Sequence, residues 1–230
     1  MKFMSFNTQH CLNYLERKID FDVMARAILE CGADVVGLNE MRNEGPGEEY
    51  TDQVKALSDL TGLKYYYFAK AYDFAEGPYG NGILSRYPID EVETVLIPDP
   101  IVKTGTRWYE TRCVLKAKIR GVTVMVTHYG LNPDEKENAT KTVLSLIPEQ
   151  KGVLMGDFNL EPNEELLLPI REVMIDTAIA FSEEKRSFPS TEPTRKIDYI
   201  FVTRDAKIVY ADIPAIIASD HRPYVAELEF

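Results

Sequence analysis

The sequence predicts an α/β protein in which two β-sheets pack face to face and helices cover their outer faces. Segments with the apolar patterns of strands clearly outnumber segments with helical periodicity, and the helical segments often lie between strands. This order favours stacked layers over separate helical and sheet regions. A chain of 230 residues can bury a sizeable core, and it shows no internal repeat, low-complexity tract or linker. Residues 1–230 are therefore expected to form one domain.

The predicted strands are short apolar runs bounded by turn residues. They cover 2–7, 34–39, 63–69, 82–86, 91–97, 107–119, 122–128, 152–155, 196–203, 207–212 and 222–229. The fourth and fifth runs are expected to pair around a turn at 87–88. The sixth and seventh are expected to form a long hairpin about 120–121.

Apolar residues spaced three and four apart predict three helices. The first covers 17–31 and stops at Gly32, the second covers 49–60 and stops at Gly62, and the third covers 133–147 with Pro133 in its first turn. A loop and a short helix are expected over 160–170. Three longer loops are expected, and such loops commonly determine substrate choice; they cover 71–80, 97–105 and 181–194.

The net charge limits which classes of function suit this chain, and the cysteine count indicates its redox compartment. The net charge of −11, from 26 basic and 37 acidic residues, disfavours strong non-specific binding to nucleic acid. It does not exclude a nuclease, because a bound metal reverses the field of an acidic site. Three cysteines with no metal-type spacing fit a reduced compartment, so a cytoplasmic location is expected. No signal peptide is expected, and no apolar run approaches the roughly 20 residues that span a membrane.

The most informative stretch is Gly156-Asp157-Phe158-Asn159, which follows the buried strand predicted over 152–155. Side chains alternate along an extended chain, so Asp157 and Asn159 are expected on one side and Phe158 on the other. An acid and an amide facing the same way form an oxygen-rich cradle. The alternative is an ordinary strand-end turn, since both residue types are common turn formers.

Five further segments place a polar residue within or at the end of an apolar strand-like run. These residues are Asn7, Glu40, His128, Asp198 and the pair Asp220-His221. One such residue in a chain would be unremarkable. Together with Asp157 and Asn159 they predict a single converging site.

The motifs at 156–159 and 219–221, Gly-Asp-Phe-Asn and Ser-Asp-His, are highly specific as an ordered set. With them the chain resembles, from Asn7 to His221, the endonuclease/exonuclease/phosphatase superfamily. That superfamily includes deoxyribonuclease I, exonuclease III, the neutral sphingomyelinases and inositol polyphosphate 5-phosphatases. The resemblance implies a deoxyribonuclease I-like, four-layer α/β/β/α sandwich with two packed mixed sheets. It also implies an Mg²⁺-dependent phosphoric ester hydrolase.

Glu40 is the leading candidate for a metal ligand. A carboxylate at the end of an apolar strand is costly unless it is paired or bound to a cation. Oxygen ligands suit Mg²⁺, with Mn²⁺ as a second candidate, whereas the alternative is a salt bridge with Arg42. The resemblance adds Asn7, beside the metal or its waters, and Asp220, as a ligand or second-metal contact.

Asp198 and His221 are the candidate general base. A carboxylate on one imidazole nitrogen fixes the tautomer and leaves the other nitrogen free to take a proton from water. The alternative is a structural histidine in the core. The resemblance further implies that Asp157 and Asn159 orient the attacking water and hold a phosphate oxygen, and that His128 donates to another oxygen.

Four residues are candidates for substrate contact. Arg42 and Arg112 match arginines of deoxyribonuclease I and offer a planar fork to phosphate, unless they are solvated surface charges. Tyr79 is expected at the substrate opening. Asn81 is expected beside His128, where deoxyribonuclease I has a carboxylate. An amide stabilises imidazolium less than a carboxylate does, so His128 is expected to be a neutral hydrogen-bond donor.

Three functions stay open at this level. The first is hydrolysis of a small-molecule, nucleotide, sugar or inositol phosphate, or of a phospholipid headgroup. The second is a nuclease acting on DNA or RNA, which the acidic charge disfavours. The third is an inactive binding module on the same fold, which is disfavoured because every motif residue is present.

Overall fold

Two six-stranded mixed sheets form the centre of the computed structural model, which describes residues 1–47, 50–74 and 77–230. The strands are β1 (Lys2–Asn7), β2 (Leu12–Asn13), β3 (Lys18–Ile19), β4 (Val35–Arg42), β5 (Tyr65–Phe74), β6 (Gly77–Ser85), β7 (Glu91–Leu96), β8 (Cys113–Ile119), β9 (Val122–His128), β10 (Gly152–Asp157), β11 (Met174–Asp176), β12 (Asp198–Thr203), β13 (Lys207–Asp212) and β14 (Tyr224–Glu229). The helices are α1 (Phe21–Cys31), α2 (Gln53–Thr61), α3 (Pro133–Leu146) and α4 (Leu168–Val173).

The two sheets have the same internal plan. The first has the order β13-β14-β1-β4-β6-β5, and the second has the order β11-β12-β10-β9-β8-β7. Each contains one parallel pair at its centre, β1 with β4 and β9 with β10, and antiparallel pairs elsewhere. The predicted sandwich of two similar halves with mixed sheets is confirmed.

Three apolar cores correspond to the three interfaces between four layers. The core between the sheets contains Phe3, Val126 and Met155, among others. The second core joins α1 and α2 to the first sheet, and the third joins α3 and α4 to the second sheet around Phe158. Strands buried on both faces require continuous apolar runs, which explains the unbroken hydrophobic stretches in β4, β9 and β10.

Gly156 allows the two central strands of the second sheet to approach each other. Its φ is +146°, and a Cβ at this position would lie 1.8 Å from the carbonyl oxygen of Thr127. Only glycine tolerates that contact and that backbone conformation. The glycine of the 156–159 motif is therefore required by packing immediately before Asp157.

Local capping corrects the predicted helix starts. α1 begins at Phe21, four residues later than predicted, because Asp20 accepts a hydrogen bond from Val23 N at 3.1 Å and caps the helix. α2 begins at Gln53 because Asp52 caps it in the same way. The predicted start of that helix at residue 49 lies outside the described residues.

Two predictions about strand pairing and loops are wrong. β6 and β7 do not pair, because β6 lies between β4 and β5 in the first sheet whereas β7 pairs with β8 in the second. The predicted loop at 71–80 belongs to the antiparallel pair of β5 and β6, and its residues 75–76 lie outside the described residues. The rings of Tyr72, Phe74 and Tyr79 pack together with centroids 5.7 to 6.1 Å apart, which stabilises this extension.

Smaller differences occur in the second sheet. β8 begins at Cys113, so residues 107–112 do not extend the predicted hairpin. The three-residue strand β11 was not predicted, because so short a run carries no periodic signal. In the described residues, no helix combines the length and the apolar character needed to cross a bilayer.

Candidate active site

The candidate residues converge because strand ends of both sheets meet at one edge of the sandwich. Asn7 ends β1 opposite Asn39 of β4, and Asp157 ends β10 opposite both His128 of β9 and Asp198 of β12. In a parallel pair the carboxyl ends lie at the same edge, and an antiparallel neighbour begins there. The structure therefore brings Asn7, Asp157, His128 and Asp198 together at one edge, as the sequence predicted.

A β-bulge in β4 places two polar residues where a regular strand would place one. Leu38 opposes Gly82 and Met41 opposes Gly80, so Asn39 and Glu40 together face a single residue of β6. Glu40 has a φ of +62°, a left-handed conformation that costs an acidic residue about 1 kcal/mol or more. Bulges redirect side chains and are common beside active sites.

Because of the bulge, the side chains of Asn39 and Glu40 contact different groups. Asn39 binds Asn81 and the second sheet, whereas Glu40 binds Asn7. Asn39 Nδ2 donates to Asn81 Oδ1 at 2.8 Å and to Thr127 O at 2.9 Å, and Asn39 Oδ1 accepts from Asp157 N at 3.1 Å. Asn39 thereby joins the two sheets beneath the site. Asn81 Nδ2 donates to Cys113 O at 2.9 Å, so both ends of the Asn81 amide are used within the protein.

Glu40 lies beside Asn7 in an environment that is unfavourable for a negative charge. Asn7 Nδ2 donates to Glu40 Oε1 at 3.0 Å and to Asp157 Oδ2 at 3.2 Å, while Asn7 Oδ1 accepts from Gln9 N at 3.1 Å. Burial raises the pKa of Glu40, and the negative charge of Asp220 adds to this increase. Two carboxylates so placed fit a hard divalent cation, which would offset both charges.

Asp198 and His221 form the predicted pair. His221 Nδ1 lies 2.8 Å from Asp198 Oδ2, and both side chains are buried. Burial disfavours the charged imidazole, but Asp198, Asp157 and Asp220 outweigh it and raise the pKa of His221 to about 10. The ring of Phe188 packs on His221 with centroids 4.8 Å apart and limits its rotation.

His128 is also buried but has a cation as its neighbour. Arg112 Nη1 lies 3.0 Å from His128 Nδ1. Burial and the charge of Arg112 hold the pKa of His128 well below its usual range. A neutral His128 was expected from the amide of Asn81; the physical cause is instead burial together with Arg112.

Asp157 occupies the middle of the cluster. Its Oδ2 lies 3.5 Å from His128 Nε2 and 3.6 Å from His221 Nε2, and its Oδ1 accepts from Asn159 N at 2.9 Å. Burial raises the pKa of Asp157, and His221 opposes that shift. Asn159 Nδ2 lies 3.4 Å from His128 Nε2 and Phe158 points away into the helix-covered core, so the expected alternation along this strand end is confirmed.

A second group of side chains near Glu40 could also hold a metal ion. One ligand atom each of Asp157, Asp198 and His221 lies within 4.8 Å of the other two. However, Asp198 Oδ2 and His221 Nδ1 already bind each other, and Ser187 Oγ donates to the same oxygen at 2.5 Å. This hydrogen bonding favours a proton-handling group over a metal centre at that position.

The predicted substrate contacts lie deeper than expected. Arg42, Tyr79 and Arg112 are each only 8% exposed. Arg42 packs over the ring of Tyr50 at 4.9 Å. Arg112 Nη2 forms an ion pair with Glu110 Oε2 at 2.5 Å, and its burial argues against the alternative of a solvated surface charge, while its contact with phosphate stays a prediction.

Two polar residues of the site were missed. Asn39 stands next to Glu40, but its buried bonds to the second sheet depend on the bulge. Ser187 lies in the 181–194 loop, noted only for substrate choice, and is fully buried against Asp198. Nothing near Ser187 in the sequence distinguishes it from an ordinary loop serine.

The chain is similar to known proteins over nearly its whole length. The Endonuclease/Exonuclease/phosphatase family matches residues 4–221. The chain belongs to this family. Members of the family are generally hydrolytic and commonly bind a divalent metal. YbhP of Escherichia coli strain K12 is 26% identical over 246 residues, which cover 99% of this chain and 95% of YbhP.

Solved structures of family members share the fold at lower identity. A protein from Beutenbergia cavernae aligns with a TM-score of 0.79 and 22% identity, covering 100% of this chain and 71% of its own. The Bacteroides thetaiotaomicron mannosyl-6-phosphatase Bt3783 aligns with a TM-score of 0.75 and 15% identity, covering 100% of both chains. The human Nocturnin catalytic domain aligns with a TM-score of 0.69 and 16% identity, covering 100% and 93%.

Proposed function

We propose that this chain is a divalent-metal-dependent phosphoesterase of one domain that hydrolyses a phosphate ester by in-line attack of water. One observation carries the proposal. Asp157 Oδ2 lies 3.2 Å from Asn7 Nδ2, 3.5 Å from His128 Nε2 and 3.6 Å from His221 Nε2. A candidate metal region, a candidate base and a hydrogen-bond donor therefore border one position, as hydrolysis of a phosphoester requires.

Glu40 and Asp220 are the proposed ligands of Mg²⁺ or Mn²⁺. The raised pKa of Glu40 supports this choice, because a carboxylate destabilised by burial and a like charge gains most from a cation. When bound, the metal would neutralise charge that develops on the phosphate. Asn7 turns its amide nitrogen towards Glu40 and Asp157, so we assign it to orienting these carboxylates.

His221 is the proposed general base. Asp198 holds the hydrogen of the neutral imidazole on Nδ1, which leaves Nε2 free to accept a proton from water. The carboxylate of Asp157 lies on the Nε2 side and can orient that water. The carboxylates of Asp198 and Asp157 also favour the protonated ring of His221. The positive charge of a cation held by Glu40 and Asp220 would oppose this effect and shift His221 towards the neutral form that a base requires.

The preferred substrate is a small or lipid-like phosphate ester. The net charge of −11 disfavours tracking along a polyanionic duplex. Among the structural neighbours, Bt3783 is a mannosyl-6-phosphatase, which supports placing sugar phosphates among the candidates. A nuclease is the second candidate, because the same site geometry can attack a phosphodiester and a bound cation would offset the acidic field.

The deciding experiment is a phosphoester panel with Mg²⁺ or Mn²⁺, using nucleic acids, nucleotides, sugar phosphates, inositol phosphates and phospholipids. Hydrolysis that disappears with a chelator and in the His221→Ala variant is expected for at least one class. Metal binding without turnover of any class would favour the inactive binding module. Turnover that survives both treatments would contradict the proposed mechanism.

A further inference from the structure

The two buried histidines of the site have partners of opposite charge. His221 Nδ1 faces the carboxylate of Asp198 at 2.8 Å, whereas His128 Nδ1 faces the guanidinium of Arg112 at 3.0 Å. A guanidinium has five N–H donors and no acceptor, and it stays charged in proteins. His128 Nδ1 is therefore the acceptor in this hydrogen bond.

Arg112 is held in place independently of any ligand. Its Nη2 pairs with Glu110 Oε2 at 2.5 Å, and its side chain is 9% exposed. A hydrogen on His128 Nδ1 would oppose the N–H of Arg112 at 3.0 Å, next to a full positive charge. The neutral ring must consequently carry its hydrogen on Nε2.

Among the described residues, the other side of the His128 ring faces both a donor and an acceptor. Asn159 Nδ2 lies 3.4 Å from Nε2 and donates to Tyr129 O at 3.1 Å, so this amide also turns a donor towards the ring, but from a longer distance than Arg112 and without a full charge. Asp157 Oδ2, 3.5 Å away, is the acceptor on that side. The Nε2–H group thus faces the space bordered by Asp157 and Asn159.

We propose that Arg112 is a positioning residue that fixes His128 as its Nε2–H tautomer, so that His128 donates a hydrogen bond to a phosphoryl oxygen and does not accept a proton. His221 is then the proton acceptor of the site. The carboxylate of Asp198 makes the His221 ring more basic, whereas the guanidinium of Arg112 makes the His128 ring less basic. The consequence for turnover rests on the proposed function, whereas the tautomer does not.

The chain suits a direct test because it contains only three histidines, His10, His128 and His221. Nitrogen-15 labelling of histidine followed by long-range proton–nitrogen correlation reports which ring nitrogen carries hydrogen. In the wild-type protein near neutral pH, His128 is expected as the neutral Nε2–H form. A protonated ring or an Nδ1–H form would overturn the proposal without any variant or substrate.

The variants Arg112→Met and Arg112→Lys separate positioning from phosphate binding. Arg112→Met should admit the Nδ1–H form of His128 and lower kcat about 10-fold or more with a smaller change in KM, as for loss of an interaction made in the transition state. Arg112→Lys keeps a charged donor and should retain the Nε2–H form. Arg26→Met removes an exposed arginine of α1 and should leave both measurements unchanged.

Inorganic phosphate serves as the probe for the competing explanation. Weaker phosphate binding in Arg112→Met with an unchanged His128 tautomer would make Arg112 a phosphate ligand and refute the proposal. If the panel of phosphoesters shows no turnover but the tautomer changes as expected, the positioning function stands and the proposed activity fails. If Arg112→Met does not fold, the wild-type and Arg112→Lys spectra decide the outcome.

Discussion

Nδ1 of His221 lies 2.8 Å from Oδ2 of Asp198, and neither residue is more than 4% exposed. This contact joins a residue at the start of β12 to one that precedes β14 in the other sheet. Such a buried pair fixes the imidazole tautomer more firmly than solvent would allow. It also makes the two residues act as one unit, which gives a sharp kinetic expectation.

His221→Ala is expected to lower kcat by about 10² to 10⁴-fold with little effect on substrate binding, because it removes a general base. Asp198→Asn should cost a similar factor, since an amide can stabilise the wrong tautomer. The double variant should lose little beyond either single variant. Steady-state kinetics, after circular dichroism shows each variant folded, provide the measurement. Multiplicative losses in the double variant would contradict a paired function.

Ser187→Ala is expected to lower kcat about 10-fold, because Ser187 Oγ donates to the Asp198 oxygen that also binds His221, and a hydrogen bond to a charged group contributes roughly 1.5–3 kcal/mol. KM should change less than kcat. Ser145→Ala, which removes an exposed hydroxyl of α3, is the matched control. Equal kinetics of the Ser187→Ala variant and the wild-type protein would remove Ser187 from the positioning of Asp198.

Glu40→Gln is expected to weaken Mg²⁺ binding at least about 10-fold, because even the loss of a residue that only supports a metal ligand typically costs about 10- to 100-fold in affinity. Isothermal titration calorimetry measures the affinity. The fold should persist, since a neutral side chain relieves the charge that burial disfavours. Glu93→Gln alters an exposed carboxylate paired with Lys116 and serves as the control. Unchanged affinity in Glu40→Gln would exclude Glu40 as a ligand.

Lys196 provides a pH-dependent test of burial. Burial lowers the pKa of Lys196 from 10.5 to about 8, despite Asp176 at 3.5 Å. The pKa of Lys196 is lower in the folded protein than in the unfolded chain. Its contribution to stability is therefore fully present above pH 10.5 and is lost as the pH falls through about 8. A gap of this size corresponds to roughly 3 kcal/mol.

The unfolding free energy of the wild-type protein should therefore rise with pH relative to that of Lys196→Met, from about pH 7 to about pH 10. Urea denaturation across this range measures the difference. Lys141→Met, which removes an exposed lysine of α3, should show a difference that stays constant across this pH range. Parallel pH profiles for Lys196→Met and the wild-type protein would show that Lys196 titrates normally.

Duplex DNA is expected to be at best a poor substrate, because a net charge of −11 repels a polyanion. Nicking of supercoiled plasmid at low salt, where attraction to DNA would be strongest, is the measurement. A small phosphate ester turned over in the same buffer controls for active enzyme. Rapid nicking at catalytic enzyme concentrations would make a nuclease the leading function.

The sequence by itself determined the layered α/β architecture and the identity of most polar residues at the site. Apolar periodicity is a local property, and residues such as Asp157 and His128 stand out because they end buried strands. The pairing of Asp198 with His221 was also predictable, since adjacent Asp220 and His221 point apart on an extended chain.

Only the tertiary structure decided which strands share a sheet and what each buried side chain contacts. β6 and β7 are neighbours along the chain but belong to different sheets, because pairing depends on partners distant in sequence. The same holds for Arg112, whose residue type suggested a phosphate contact. Its bond to His128 arises only when β8 and β9 lie side by side, whereas its ion-pair partner Glu110 is only two residues away in the chain. Residue type determines which hydrogen bonds and ion pairs a side chain can form. Tertiary packing determines which of those partners lie within reach.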